Sequence, residues 1–283
     1  MSSWSVFESL GHPEVFLVLA VLVGLVLGSF YTVCISRTVA RLRWDDEHTN
    51  EPRPATSILW PPSHCPQCRV PLRARELVPV LSYLALRGRC AHCHAAIPLG
   101  YPLLELLSGC LAGLFALHYG ASGAFLVCLG FSGLLIVASG IDLGTFRLPD
   151  VLTLGAVLPA MLCAVMFLDL SWKESLLGAA LGGGIFWSVG VAFKKLRNID
   201  GLGMGDVNLM LLIGALCGPL ALPGIVIAAG LSALLAFPFF LKYGSADTNL
   251  SPREVPIPFG PFLSFGALLH LLFGTQLLHW WLG

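Results

Sequence analysis

The sequence predicts an all-α polytopic membrane protein, with about eight transmembrane helices and a cytoplasmic zinc-binding loop domain. Three observations lead there. Of the 283 residues 56% are hydrophobic and only 11% charged, with mean hydropathy +0.82, which is too little polar material to cover a soluble domain. The apolar residues gather into runs of about 18 or more, long enough to cross a hydrocarbon core of roughly 30 Å. Nothing alternates polar and apolar as a barrel strand would, so the spans are helices, which satisfy their own backbone in lipid.

The expected spans are residues 14–36, 102–119, 123–141, 151–169, 174–193, 207–218, 222–241 and 259–281. The first begins near His12-Pro13-Glu14 and runs into Gly28-Ser29-Phe30. It lacks a basic leading region and a small-residue cleavage pattern, so it reads as a permanent anchor. The sixth is short and ends among glycine and proline. Placing residues 37–101 in the cytoplasm puts every lysine and arginine except Lys173 inside. The positive-inside rule therefore fixes the orientation, with both termini outside. Three regions follow: a first transmembrane helix (1–36), a cytoplasmic Cys₄ zinc-binding domain (37–101) and a seven-helix membrane core (102–283).

The loop carries Cys65-Pro66-Gln67-Cys68 and Cys90-Ala91-His92-Cys93. Two such knuckles offer four thiolates to one tetrahedral zinc, and a closed Cys₄ site is structural because no position is left for water. The 21-residue gap is marginally beyond the usual ribbon range. A disulfide pair or a redox motif is the competing reading. A reducing cytoplasm argues against the first, and the presence of two knuckles against the second. His64, His92 and His94 crowd the knuckles but are read as neighbours of a complete site. Cys34, Cys110, Cys128, Cys163 and Cys217 fall in or beside apolar spans and read as packing residues.

The carboxylates fall at one face. Asp142 ends the third span, Asp150 opens the fourth, and Asp206 opens the sixth after Gly203-Met204-Gly205. A carboxylate at the end of a membrane helix costs several kcal/mol unless water, a partner or a task accounts for it. Asp150 follows Pro149 and reads as an N-cap with a supporting role still open. Asp206 could also cap, although Gly203 and Gly205 suggest close approach of backbone and substrate. Asp142 has no structural reason to be there, since the helix dipole disfavours a negative charge at a C-terminus. Asp142 and Asp206 together suggest a shared-proton pair, one carboxyl activating water while the other donates to a carbonyl. Glu105 reads equally as half of an ion pair with a loop arginine or as a binding group. Asp200 reads as surface.

These residues, in this order, resemble the type IV prepilin peptidases, bacterial membrane aspartic proteases of the GxGD type. The resemblance runs from Gly28 to Gly266. It covers Gly28-Ser29-Phe30 with Arg37, the two knuckles, and Val78-Pro79-Val80-Leu81-Ser82-Tyr83 through Arg87-Gly88-Arg89-Cys90. It continues with Tyr101-Pro102-Leu103-Leu104-Glu105, Ile141-Asp142 to Leu148-Pro149-Asp150, Gly203-Met204-Gly205-Asp206-Val207 and Ile257-Pro258-Phe259-Gly260-Pro261. It implies that Asp142 and Asp206 are the catalytic pair, and that Cys65, Cys68, Cys90 and Cys93 hold one structural zinc per chain. It also implies a multi-pass protein of the bacterial cytoplasmic membrane with its active site at the cytoplasmic face. Family members of this form cleave the basic leader of prepilins or pseudopilins after glycine. They then methylate the new N-terminal residue with S-adenosylmethionine. No nucleic-acid partner is expected, and no Gly-rich strand-turn-helix marks where the methyl donor would bind. Thr32 and Asn208 depart from the family pattern, which usually has asparagine and lysine there. A different class also fits the bare pattern: a transporter or scaffold with a zinc docking loop and proton-relay aspartates.

Overall fold

The computed structural model describes residues 13–47, 57–58, 60, 62–197, 203–247 and 258–282. Among them the regular structure is helical, apart from two isolated bridges in the cysteine loop. Six helices are long and apolar enough to cross a membrane: Pro13–Asp45, Gly100–Tyr119, Gly123–Thr145, Asp150–Phe167, Trp172–Leu196 and Pro219–Phe240. They coincide with the first five expected spans and the seventh. The sixth and eighth fall on shorter apolar helices, Met204–Cys217 and Gly260–Gly274.

The chain divides into two compact units, residues 1–137 and 138–283. In the first, α1 (Pro13–Glu47) packs along α3 (Gly100–Tyr119). Small residues make this possible. A Cβ on Gly24 would stand 2.6 Å from the Cβ of Ala112, and one on Gly28 would stand 2.6 Å from the Cα of Glu105. Without a hydrophobic drive inside lipid, such backbone proximity supplies the van der Waals contact that holds helices together. Helix α1 also continues to Glu47, past the expected end of its span at residue 36. Arg37, Arg41 and Arg43 are good helix formers, so the helix has no reason to stop where the apolar run does.

A short helix, α2 (Leu81–Ala85), lies in the loop, and α4 (Gly123–Thr145) leads toward the second unit. There the chain forms α5 (Asp150–Thr153), α6 (Val157–Phe167), α7 (Trp172–Arg197), α8 (Met204–Cys217), α9 (Leu222–Asp247) and α10 (Gly260–Leu282). Helix α8 is the centre of this unit. Every residue from Val207 to Cys217 except Leu211 is buried, and α5, α6, α7 and α10 all contact it. Apart from Asn208 this run is apolar all round, as expected of a helix enclosed by protein. Enclosure also explains its length, because a helix wrapped by neighbours need not match the bilayer by itself.

Helix α7 approaches α8 most closely. A Cβ on Gly178 would run into the Gly214 carbonyl oxygen, and one on Gly182 into that of Met210. The Ser175 hydroxyl donates to the Ala215 carbonyl at 2.6 Å within the same seam. This contact fixes the depth and rotation of the helix that presents Asp206.

Candidate functional site

Asp142 lies in the last turn of α4. The helix ends just beyond it because Phe146 adopts the left-handed conformation, φ 54°, and donates its amide to the Asp142 carbonyl at 2.8 Å. The Thr145 hydroxyl takes care of the Ile141 carbonyl at 2.9 Å. The last-turn backbone is thus satisfied locally, leaving the Asp142 side chain free for another partner. That partner is the backbone N–H of Gly260, the first residue of α10, at 3.0 Å from Oδ2. Asp142 is only 5% exposed, so this bond is made away from solvent.

Asp206 lies in the first turn of α8, with Gly203 as the residue that starts the helix and Asp206 N–H bonding the Gly203 carbonyl at 3.1 Å. Its side chain is half-buried, and Asp142 lies close enough to act on it electrostatically. The two carboxyls expected to meet thus lie within electrostatic reach of each other. The glycines have different reasons. Gly205 must be glycine because a Cβ there would stand 2.8 Å from the Cβ of Leu148, so the packing need comes from within the chain. Gly203 has no such neighbour, since a Cβ there would touch only Asp206 Oδ2 at 3.7 Å.

Two capping expectations need correction. Asp150 is the first residue of α5, not its N-cap, and the capping position belongs to Pro149, whose side chain makes no cap bond. Nor does Asp206 cap α8, because Gly203 occupies that position. The Asp150 carboxylate instead receives the side-chain amide of Asn208 at 2.8 Å. Asp150 is exposed and Asn208 buried, so the bond ties the rim of the site to the inside of α8.

The four cysteines also come together. Their sulfurs all lie within 4.8 Å of one another, and those of Cys65 and Cys93 are 3.8 Å apart. Zinc–sulfur bonds of about 2.3 Å in a tetrahedron place sulfurs about 3.8 Å apart, so the set fits that ion. All four are free thiols. The backbone amides of Cys68 and Gln67 pull the Cys65 thiol down to about 6. Cys93 is pushed up to about 11: the Ala95 backbone lowers it, but desolvation and the crowding of Cys90, Cys68 and Cys65 more than offset that. A zinc ion among them would favour the thiolate form of all four.

The knuckles are one turn built twice, 25 residues apart. Cys65 N–H bonds the Val70 carbonyl at 3.0 Å as Cys90 N–H bonds that of Ala95 at 2.9 Å. Arg69 and His94 each sit at φ 58°, immediately after the second cysteine of each pair. Bridges His64–Pro71 and Arg89–Ala96 close the two loops. His64, His92 and His94 are all exposed and outside the cluster, and His92 faces Glu76 at 3.9 Å.

Glu105, buried in α3, accepts the Val80 amide at 2.8 Å. Its observed partner is backbone, not the loop arginine that sequence reasoning offered. Val80 is at φ 61°, a costly conformation for a β-branched residue, and this bond holds it there. Glu105 is thus a clasp between α3 and the loop. Thr32, half of the sequence's departure from the family pattern, turns its hydroxyl back onto the Ser29 carbonyl at 2.6 Å. Asp200 lies outside the described residues.

Sequence reasoning did not single out Gly260 or Leu148 as site residues. Gly260 lay within a quoted motif, yet only its distance from Asp142 reveals the contact. Leu148 also lay within a quoted motif, but its apolar side chain carries no chemical signal.

Comparison with known proteins finds two family models. One, described as the bacterial peptidase A24 N-terminal domain, matches residues 22–119, and the other, the type IV leader peptidase family, matches residues 128–238. Curated relatives called prepilin leader peptidase/N-methyltransferase are similar over nearly the whole chain. That of Burkholderia pseudomallei (strain K96243) is 40% identical over 273 residues, covering 92% of this chain and 86% of the relative. That of Aeromonas hydrophila is 34% identical over 284 residues, covering 96% of each. That of Pseudomonas aeruginosa is 34% identical over 275 residues, covering 94% of this chain and 93% of the relative. No solved structure matches.

Proposed function

We propose, because this chain belongs to the type IV leader peptidase family, that it cleaves the basic leader of type IV prepilins or pseudopilins after glycine and methylates the new N-terminal residue. The transporter or scaffold reading is not favoured by the relatives. The observation that carries the protease reading is that Asp142 and Asp206 each stand at a helix end, with Asp142 near enough to act electrostatically on Asp206. Two carboxyls within electrostatic reach of each other favour one shared proton, which would leave one ready to take a proton from water while the other donates to the scissile carbonyl. Gly203, Gly205 and Asp150 support that site, and Glu105 supports the cysteine loop through the Val80 amide.

The protein acts in the bacterial inner membrane with eight spans, both termini outside and the aspartates at the cytoplasmic face. Charge distribution supports that orientation, since only Lys173 would lie outside. A prepilin has a basic leader followed by an apolar helix, so its scissile bond arrives at that face. Residues 1–36 form the first span, 37–101 the zinc-binding domain and 102–283 the protease core. Cys65, Cys68, Cys90 and Cys93 would hold one zinc, which neutralises the thiolates and closes a loop too polar to build a core.

S-adenosylmethionine supplies the methyl group when bound. The grooves lined by Val189, Ala192, Phe193 and Leu196, and by Leu22, Val23, Val26 and Leu27, offer no polar side chain for its adenosyl or amino-acid parts.

Co-expression with a prepilin, followed by mass spectrometry of the mature N-terminus, tests both activities. The expected product is cut and carries one methyl group. Uncut prepilin in the presence of accumulated enzyme would overturn the protease reading, and cut but unmethylated product would overturn the second activity alone.

A further inference from the structure

Helix α10 opens with Gly260-Pro261-Phe262-Leu263. The first backbone N–H groups of a helix have no partner within it, and a buried one needs an acceptor elsewhere. Here each can be accounted for. Pro261 has no N–H, and the Phe262 and Leu263 amides reach the Phe259 carbonyl at 3.1 and 3.2 Å. Only the Gly260 amide remains, and it donates to Asp142 Oδ2 at 3.0 Å. The approach requires glycine. A Cβ at residue 260 would stand 2.7 Å from that same oxygen and 3.4 Å from Leu148 Cδ1.

The two carboxyls therefore have unequal surroundings. Asp142 receives a backbone amide at the positive end of α10. No donor reaches the Asp206 carboxyl among the described residues, and its charged neighbour is Asp142. Three effects run the other way: Asp206 lies in the first turn of α8, Asp142 lies in the last turn of α4, and Asp142 is the more buried of the two. A hydrogen bond to a buried charged acceptor outweighs them, because it acts at contact distance and unscreened by water. The other titratable groups nearby do not change this balance. Asp150 is occupied by Asn208, Arg147 is exposed in the loop, His270 lies farther along α10, and the described side chains of α9 include none.

We infer that Gly260 is a positioning residue that divides the labour of the pair, Asp142 being the ionised member and Asp206 the protonated one. The inference deepens the protease reading and rests on it for its consequence. In that reaction Asp142 takes a proton from water as the water oxygen bonds to the scissile carbon. Asp206 gives its proton to the carbonyl oxygen, forming a neutral gem-diol. On collapse one gem-diol hydroxyl returns a proton to Asp206, the C–N bond breaks, and Asp142 protonates the leaving nitrogen. Both carboxyls end as they began.

The test needs no substrate, so its outcome is separate from that of the prepilin experiment. Infrared carboxyl bands are titrated in Asp206→Asn, where only Asp142 remains of the pair, and in Asp142→Asn, where only Asp206 remains. The double Asn variant is the blank. The expected result is that Asp142 titrates at lower pH than Asp206. Adding Gly260→Ala should raise the Asp142 midpoint by about one pH unit or more and leave the Asp206 midpoint in place. Asp206 titrating at the lower pH would overturn the inference, even if the Gly260 variants fail to fold. So would a Gly260→Ala change that leaves Asp142 unmoved or shifts both midpoints equally.

Discussion

The Asn208 side-chain amide donates to the Asp150 carboxylate at 2.8 Å, joining the second residue beyond Asp206 to the first residue of α5. Asn208 is buried while Asp150 reaches solvent, so the bond holds the start of α5 against the helix that presents Asp206. Replacing Asn208 by Leu should cost about 1 kcal/mol of stability, the net worth of such a bond. Asn208→Lys keeps a donor for the carboxylate and should be milder, as should Asp150→Asn, which keeps an acceptor. Thermal unfolding in detergent checks the order. A double-mutant cycle with Asp150→Ala should show strong coupling, because the two side chains act as one contact.

Asp142→Asn and Asp206→Asn should each reduce leader cleavage by at least about a thousandfold while the protein still accumulates in the membrane. A pair that shares one proton has no use for a single member. Quantitative immunoblotting of processed prepilin, normalised to enzyme level, gives the answer, and near-wild-type processing by either variant would remove the pair from the mechanism.

Protein purified without chelator should contain one zinc per chain, and combined Cys65→Ser and Cys68→Ser should lose it. Acidification should also release the metal, since thiolate ligands must take up protons as the ion leaves. Elemental analysis across a pH series measures both effects. The loss should loosen the cysteine loop, seen as faster amide exchange between Cys65 and Cys93.

Gly178→Val should destabilise the second unit by about 1–3 kcal/mol, the usual cost of overpacking. Its side chain would occupy space held by the Gly214 carbonyl of α8. Because α8 carries Asp206, cleavage should fall along with the melting temperature. By contrast, Gly184→Ala on the same helix meets nothing within 4 Å and should leave both unchanged.

The membrane class, six of the eight expected spans and the two cysteine knuckles were legible in the sequence because they depend on local quantities. Hydropathy over a span, and four thiols in two short turns, need no knowledge of which helices touch. The aspartates could be named for the same reason, since a carboxylate closing an apolar run is conspicuous wherever the helix later packs. One local inference and one alternative still failed. Asp150 looked like a cap by its position, and a cap was the lesser alternative for Asp206, yet the caps fell to Pro149 and Gly203 once the turns were set.

What only the tertiary structure decided is who meets whom across long stretches of chain. The Gly260 amide on Asp142, the Asn208 amide on Asp150 and the Val80 amide on Glu105 each join segments with no periodic relation. Nothing in glycine's composition distinguishes Gly260 beside a carboxylate from Gly205 beside Leu148 or Gly178 beside a carbonyl. The sequence by itself determined that carboxylates and thiols would be present at helix ends and turns. Packing decided which backbone donors they would receive, because a hydrogen bond needs a distance of about 3 Å that only the assembled helices supply.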